Sequence, residues 1–216
     1  MIETTKKVLV LCAHPDDEVL GCGGLIAKLT ENGDDVYVIF TTDGVRHPPV
    51  CTDSCPDAYE ALNVLGVNST NIFFLGIKTQ RSDQYVLRDF TSKVEAIGQD
   101  FDLVILPSKD DLNIDHVFAY NLGLICFRPL KRKTKIISME ILSSSEWSDV
   151  PFQPNFYIDI SNTIEKKLDS LKKYTKQLLQ FPHPRSGEAI KIKAKQRGLE
   201  VGYKYAEAFK IIRWFE

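Results

Sequence analysis

Directly after a short β-branched run, Lys7–Cys12 (KVLVLC), the chain reads Ala13-His14-Pro15-Asp16-Asp17-Glu18 and then Leu20-Gly21-Cys22-Gly23-Gly24. One imidazole and three carboxylates crowd into five residues. Carboxylates removed from water without a partner are costly, so a cation is their natural companion. His14 and Asp17 are three apart, and in a turn leading into a helix that spacing puts both side chains on one side. An imidazole nitrogen with a carboxylate oxygen suits zinc. A catalytic zinc takes a third protein ligand and keeps a position open for water. The chain holds only four histidines, and a second acidic cluster, Asp110-Asp111-Leu112-Asn113-Ile114-Asp115-His116, makes His116 the best third ligand. With Asp17 on the metal, Asp16 is left as general base toward a water whose pKa a catalytic zinc lowers to about 7. Glu18 is placed to support a ligand or the turn, and Asp111 or Asp115 to orient a histidine from behind. One zinc per chain is the expected cofactor, with other divalent metals able to substitute.

These residues act only if neighbouring elements bring the two clusters together. Lys7–Cys12, Val36–Thr41, Ile72–Leu75, Leu103–Leu106, Ile136–Met139 and Phe156–Ile160 read as strands. Leu20–Thr30, Asp57–Leu65, Phe90–Ile97, Asp115–Phe127 and Ser161–Leu179 carry helical patterns, with Ser161 as N-cap of the last. Asn32-Gly33 and Gly66 stop the first two helices. Strands alternating with helices imply a Rossmann-like, mostly parallel α/β sheet with helices on both faces. The whole chain, 1–216, is expected to form a single domain. Ligands of such sheets bind outside the carboxyl ends of the strands, where both acidic clusters lie. The Gly21–Gly24 run lacks the spacing of a dinucleotide loop.

The charge is balanced, 27 basic against 29 acidic side chains. Neither nucleic acid nor an anionic membrane is therefore an expected partner. Lys131, Arg132, Lys133 and Lys135 form a basic run that reads as a solvated loop face. No segment approaches the roughly 18–20 apolar residues that span a bilayer, and the N-terminus reads as a first strand, not a signal peptide. A cytoplasmic location is expected. The five cysteines are odd in number and scattered, as buried thiols in a reducing compartment would be. Cys51 and Cys55, four apart in a Pro-rich stretch, are not a strong zinc signature.

The chain resembles the N-acetylglucosaminyl-phosphatidylinositol de-N-acetylase family, also called PIG-L or LmbE-like, which includes mycothiol and bacillithiol pathway deacetylases. The resemblance begins at AHPDDEVLGCGG (Ala13–Gly24) and continues through TTDG (Thr41–Gly44), DAYEALNVLGV (Asp57–Val67) and DLNIDH (Asp111–His116). It extends to DISNTIEKKLDSLKKYTKQ (Asp159–Gln177), HPRS (His183–Ser186) and YAEAF (Tyr205–Phe209). It implies a Rossmann-like fold, His14, Asp17 and His116 as zinc ligands, and Asp16 as the base that activates water. The implied reaction is attack of that water on an acyl carbonyl, then loss of the free amine from a tetrahedral intermediate. One position departs: where the family usually reads Asp-x-His-x-Asp-His, this chain has Asn113. Asparagine donates a hydrogen bond to an oxyanion but carries no exchangeable proton near neutral pH. Asp16 would then act as both base and acid, or His183 would supply the proton if its loop folds over the site.

Around this centre, Asp43, Arg46 and His47 follow the second strand, where a pocket wall would lie. Asp43 would bond a sugar hydroxyl, though a turn-forming Asp-Gly is equally ordinary, and His47 reads equally well as an exposed loop histidine. Arg185 would pair with a phosphate or carboxylate of substrate, or form a salt bridge at a helix start. Lys167, Leu171, Tyr174 and Gln177 fall on one helical stripe that reads as packing, and Glu207 is open between roles. Trp147 reads as core, as rim, or as a platform for a sugar face. The expected function is zinc-dependent removal of an N-acyl group, acetyl by the resemblance, from a small-molecule amino sugar or sugar conjugate. A zinc amidohydrolase of a non-sugar amide and a non-catalytic Rossmann-like sugar or nucleotide binder are the alternatives. A homo-oligomer is compatible with the resemblance.

Overall fold

A computed structural model describes residues 7–42, 56–130 and 132–216. The candidate residues Asp43, Arg46 and His47, with Cys51, Cys55 and Lys131, lie outside the described residues. The chain runs β1 (Lys7–Cys12), α1 (Asp17–Glu31), β2 (Asp35–Thr42), α2 (Pro56–Val64), β3 (Ile72–Ile77), α3 (Arg88–Ile97) and β4 (Leu103–Leu106). It continues α4 (Ile114–Cys126), β5 (Lys135–Met139), β6 (Phe156–Asp159), α5 (Ile164–Leu171), α6 (Gly187–Leu199) and β7 (Ala206–Arg213).

β1 shows why the sheet is two-sided. Val8, Val10 and Cys12 point into a core shared with α1, α2, α5 and α6, while Leu9 and Leu11 pack into a second core with α3 and α4. A strand buried on both faces reads as a continuous apolar run, as KVLVLC does. The strand order is β3-β2-β1-β4-β5-β7-β6. β1 to β5 pair in parallel, and β7 runs antiparallel between β5 and β6. This is the expected α/β sheet with helices on both faces. β1 is flanked by β2 and β4, with Val10 level with both Val38 and Ile105. The topology reverses there, and a crevice opens beyond the carboxyl ends of β1 and β4. The segments carrying His14 and His116 leave from those two ends.

Two expected elements differ. The first helix begins at Asp17, not Leu20, because Asp17 and Glu18 occupy its first turn. Acids there suit the helix dipole but leave no apolar period to read. The same helix breaks at Cys22 (φ −146°, ψ 23°). Lys167 Nζ donates to the Leu20 carbonyl below the break at 2.9 Å. Glu207 accepts from the Gly24 and Leu25 amides above it at 2.8 and 2.7 Å. Lys167 and Glu207 themselves meet at 2.6 Å, both buried. Here Gly21 and Gly24 serve close packing: a Cβ would come 2.5 Å from Met139 Sδ at the first and 2.8 Å from Ile160 Cγ2 at the second.

The expected helix Ser161–Leu179 is shorter at both ends, spanning Ile164–Leu171. Ser161 is not its N-cap; the Ser161 amide and hydroxyl both donate to Asp159 Oδ1, at 2.9 and 2.5 Å. Thr163 holds the cap position and sends its hydroxyl to the Gly24 carbonyl at 2.8 Å. Beyond Leu171 the chain turns so that the fully buried Tyr174 reaches inward. α6 and β7 had no element assigned from sequence, and β7 is what delivers Glu207. No helix among the described residues is long and apolar enough to cross a membrane. Cys12 and Cys22 are buried free thiols, as expected.

The Lys167–Glu207 pair gives a test of how α1 is held. Lys167→Met is expected to cost about 3–5 kcal/mol in equilibrium denaturation, the cost of stranding one buried charge. A loss below about 1 kcal/mol would show that the break at Cys22 stands without it.

Candidate metal centre and active site

The turn after β1 is bent into an uncommon shape. Asp16 has φ 116° and ψ −27°, a region L residues avoid unless the surroundings hold them there. Its amide donates to Glu18 Oε2 at 3.0 Å, and Glu18 Oε1 accepts from the Tyr174 hydroxyl at 2.5 Å. The amide of His14 donates to Asp17 Oδ2 at 2.7 Å, which draws the Asp17 carboxylate back over the turn. The other described non-glycine residues with positive φ, Gln80 and Ser143, also bear on this point. The Gln80 amide donates to Asp115 Oδ2 at 2.6 Å, and Ser143 Oγ accepts from Arg185 Nε at 2.6 Å. Backbone strain is thus gathered around one crevice, as it tends to be at functional sites.

On the β4 side, Asn113 caps α4: its Oδ1 accepts from the Asp115 amide at 3.0 Å. Asp111 Oδ1 in turn accepts from the Asn113 amide at 2.9 Å, and the Ser144 hydroxyl bonds that same oxygen. His116 is therefore presented from a first helical turn fixed at both ends of its loop.

The two sides meet. His14 Nδ1 lies 3.2 Å from His116 Nε2 and 3.3 Å from Asp17 Oδ2, and His116 Nε2 lies 3.3 Å from the same oxygen. Bonds of about 2.0 Å in tetrahedral coordination require ligand atoms about 3.3 Å apart. The three atoms therefore form one face of such a polyhedron, and His14, Asp17 and His116 together could hold a metal ion. The outer nitrogens are braced from behind. His14 Nε2 meets Asp115 Oδ2 at 2.9 Å, and His116 Nδ1 lies 3.0 Å from Asp111 Oδ1, off the direction of a linear hydrogen bond. Both contacts are of the carboxylate–histidine kind that orients metal-binding imidazoles.

The electrostatics point the same way. Burial disfavours charge on both rings, yet Asp17 and the acids behind them outweigh it: His14 is raised, and His116 is pushed up to about 10. Burial also works against the Asp17 carboxylate, but the two histidines hold it well below its usual range. Asp17 Oδ1 is buried without a partner. Such a cluster draws positive charge, and a divalent ion would take it in exchange for protons.

Beside the triangle, a cavity of about 340 Å³ is lined by His14, Asp16, Asn113 and Arg185, with Thr79, Gln177 and Leu179. Asp16 does not join the triangle. Its Oδ2 pairs with Arg185 Nη1 at 3.0 Å, while its Oδ1 is buried and unpartnered. Burial pushes its carboxyl up to about 6, with Arg185 pulling the other way. Glu18 is pushed by burial up to about 8 despite the Tyr174 hydroxyl bonded to it. Arg185 thus faces Asp16 and Ser143. His183 is outside the cavity lining; its Nδ1 accepts from the Arg185 amide at 3.1 Å, and its ring meets the Trp147 ring edge-on. Two residues that sequence reasoning did not reach are Thr79, never singled out, and Gln177, read as packing. Thr79 Oγ1 and Gln177 Oε1 are buried at the cavity without partners. Thr79 stands in no motif, so only its position reveals it, and Gln177 ends the segment Asp159–Gln177 on a stripe that reads as packing.

The family described as GlcNAc-PI de-N-acetylase (PIG-L) matches residues 9–127. A diacetylchitobiose deacetylase of Thermococcus kodakarensis is 25% identical over 226 residues, covering 96% of this chain and 83% of its own. Among solved structures, the N,N'-diacetylchitobiose deacetylase of Pyrococcus horikoshii superposes with a TM-score of 0.75 at 23% identity, over 97% of this chain and 84% of that one. The 4-carboxy-2-hydroxymuconate hydratase of Pseudomonas putida superposes at 0.71 with 19% identity, over 98% of both. These likenesses to solved structures establish the fold. A fold shared by a deacetylase and a hydratase leaves the reaction to the site.

The bracing carboxylates yield a prediction that is independent of turnover. In competition with a chelator, Asp115→Ala should weaken zinc binding by roughly 10–100-fold, and His116→Ala should weaken it further. Unchanged zinc content in His116→Ala would remove that residue from the triangle's role.

Proposed function

We propose that this chain, which belongs to the GlcNAc-PI de-N-acetylase family, is a zinc-dependent deacetylase of an N-acylated amino sugar or sugar conjugate. The observation that carries this reading is the triangle of His14 Nδ1, Asp17 Oδ2 and His116 Nε2 beside a cavity lined by Asp16. Zinc held by the three would polarise the amide carbonyl and lower the pKa of water toward neutrality.

The remaining steps belong to the chain's own groups. Asp16 presents an unpartnered Oδ1 and takes the proton from the attacking water. Arg185 at 3.0 Å favours its ionised form and fixes its orientation. Asn113 commits its Oδ1 to the α4 cap, so its Nδ2 is the end free to donate to the oxygen that gains charge at the amide carbon. Asp16 then passes the proton to the departing nitrogen, because Asn113 cannot and His183 stands outside the lining. Gln177 Oε1 offers the hydroxyls of a sugar ring an acceptor, and the Thr79 hydroxyl can donate or accept. The amide and hydroxyl of Thr42 both donate to the Ala13 carbonyl, so the chain leaves β2 beside His14.

Release of free amine from N-acetylated sugars and nucleotide sugars by the zinc-loaded protein tests the reading directly. Activity should disappear on chelation and return with zinc. Asp16→Ala should keep its zinc and lose roughly 100-fold or more in kcat; retained turnover would reject the base. Asn113→His should leave activity equal or raised, and a strong loss would mean that the pocket depends on the amide.

A further inference from the structure

The loop that follows β5 touches both halves of the site, and β5 itself pairs with β4. The backbone of this loop closes it. The Ser144 and Ser145 amides donate to the Ile141 carbonyl at 3.3 and 3.0 Å, and the Trp147 amide donates to the Ser144 carbonyl at 3.2 Å. Ser145 adds its hydroxyl oxygen to the same turn, accepting from the Ile141 amide at 2.9 Å. The hydroxyls of Ser143 and Ser144 are spent elsewhere, each on a different group.

Ser143 Oγ accepts from Arg185 Nε at 2.6 Å, and Arg185 Nη1 reaches Asp16 Oδ2 at 3.0 Å. A guanidinium is one rigid plane, so an anchor at Nε decides where Nη1 points. Ser143 holds this post at φ 72°, where glycine or asparagine is the ordinary choice. Its amide is kept there by donating to Glu146 Oε2 at 2.8 Å. Glycine would ease the backbone and lose the anchor, so the hydroxyl gives the strained serine a reason to stand here. Ser144 is buried, 7% exposed, and bonds Asp111 Oδ1. That oxygen also accepts from the Asn113 amide and lies 3.0 Å from His116 Nδ1. Two donors thus fix the carboxylate that stands behind His116.

We infer that Ser143 and Ser144 are positioning residues for the two halves of the site: Ser143 aims Asp16 through Arg185, and Ser144 aims His116 through Asp111. The Ser143 half rests on the deacetylase reading for the role of Asp16; the Ser144 half concerns metal affinity alone. Adjacent hydroxyls on one turn set the base and a ligand against a common frame.

Three variants of the full chain, Ser143→Gly, Ser143→Asn and Ser144→Ala, separate this from a turn that needs only its shape. Ser143→Gly should lower kcat at least about tenfold with KM within about threefold, the mark of a misaligned group. Ser143→Asn tolerates the positive φ and offers Arg185 an amide oxygen, so it should recover most of that loss. In competition with a chelator, zinc affinity should stay within about twofold in Ser143→Gly and weaken at least about tenfold in Ser144→Ala. Should Ser144→Ala fail to fold, Ser144→Cys, of similar size and a poor donor, should show the same weakening. An undiminished kcat in Ser143→Gly, no recovery in Ser143→Asn, or a zinc affinity that falls alike in the Ser143→Gly and Ser144 variants or in neither overturns the inference. If the wild-type chain hydrolyses no N-acetylated sugar, the deacetylase reading falls by itself. The Arg185 Nε–H resonance then decides the Ser143 half. It should exchange slowly in the wild type and be lost to exchange in Ser143→Gly; an unchanged signal overturns the inference.

Discussion

Five carboxyl groups, those of Asp16, Asp17, Glu18, Asp111 and Asp115, are buried beyond the carboxyl ends of two adjacent strands. Keeping so much latent negative charge out of water is the constraint around which the rest of the crevice is built. Each group has its own settlement. Glu18 is pushed toward its neutral form and bonds Tyr174. Asp16 pairs with Arg185. Asp111 and Asp115 bond backbone amides and hydroxyls and lie behind the two histidines. Asp17 is the one drawn furthest toward its charged form, and it keeps one oxygen without a partner. The place where positive charge is still called for is the place where two imidazole nitrogens converge on it.

The scaffold makes that convergence a matter of topology. β1 and β4 are neighbours although α1, β2, α2, β3 and α3 separate them in sequence. Their registers bring both carboxyl ends level. α1 must approach the sheet closely enough for Asp17 to sit in its first turn over β1, and Gly21 and Gly24 permit the approach. The break at Cys22 frees backbone groups, and Lys167 and Glu207, from distant parts of the chain, bond them. A buried ion pair is weak evidence for stability in general. Here its two ends answer specific donors and acceptors, which gives it a positional role.

Much of this was legible in the chain. KVLVLC and the four apolar residues of β4 have no reading other than buried strands, and the residue types in the two acidic clusters already asked for a cation. The sequence was silent where tertiary contacts override local pattern. The helical stripe through Tyr174 continues past Leu171 in sequence, yet the chain turns there so that its hydroxyl can reach Glu18. Ser161 looks like a cap and instead serves Asp159 and β7, whose neighbour Tyr205 donates its amide to the Ser161 hydroxyl at 3.2 Å. Arg185 could be read toward a substrate anion, but Asp16 is the anion it faces. Thr79 carries no spacing signal and Gln177 only that of a stripe that reads as packing, so it is the cavity that singles them out.

The proposed metal centre is open to one direct measurement, X-ray absorption at the zinc edge on the zinc-loaded protein. Coordination by His14, Asp17 and His116 predicts nitrogen and oxygen neighbours at about 2.0–2.1 Å, two imidazole rings in the multiple-scattering pattern, and no sulfur. A sulfur neighbour at about 2.3 Å, or fewer than two imidazoles, would contradict it.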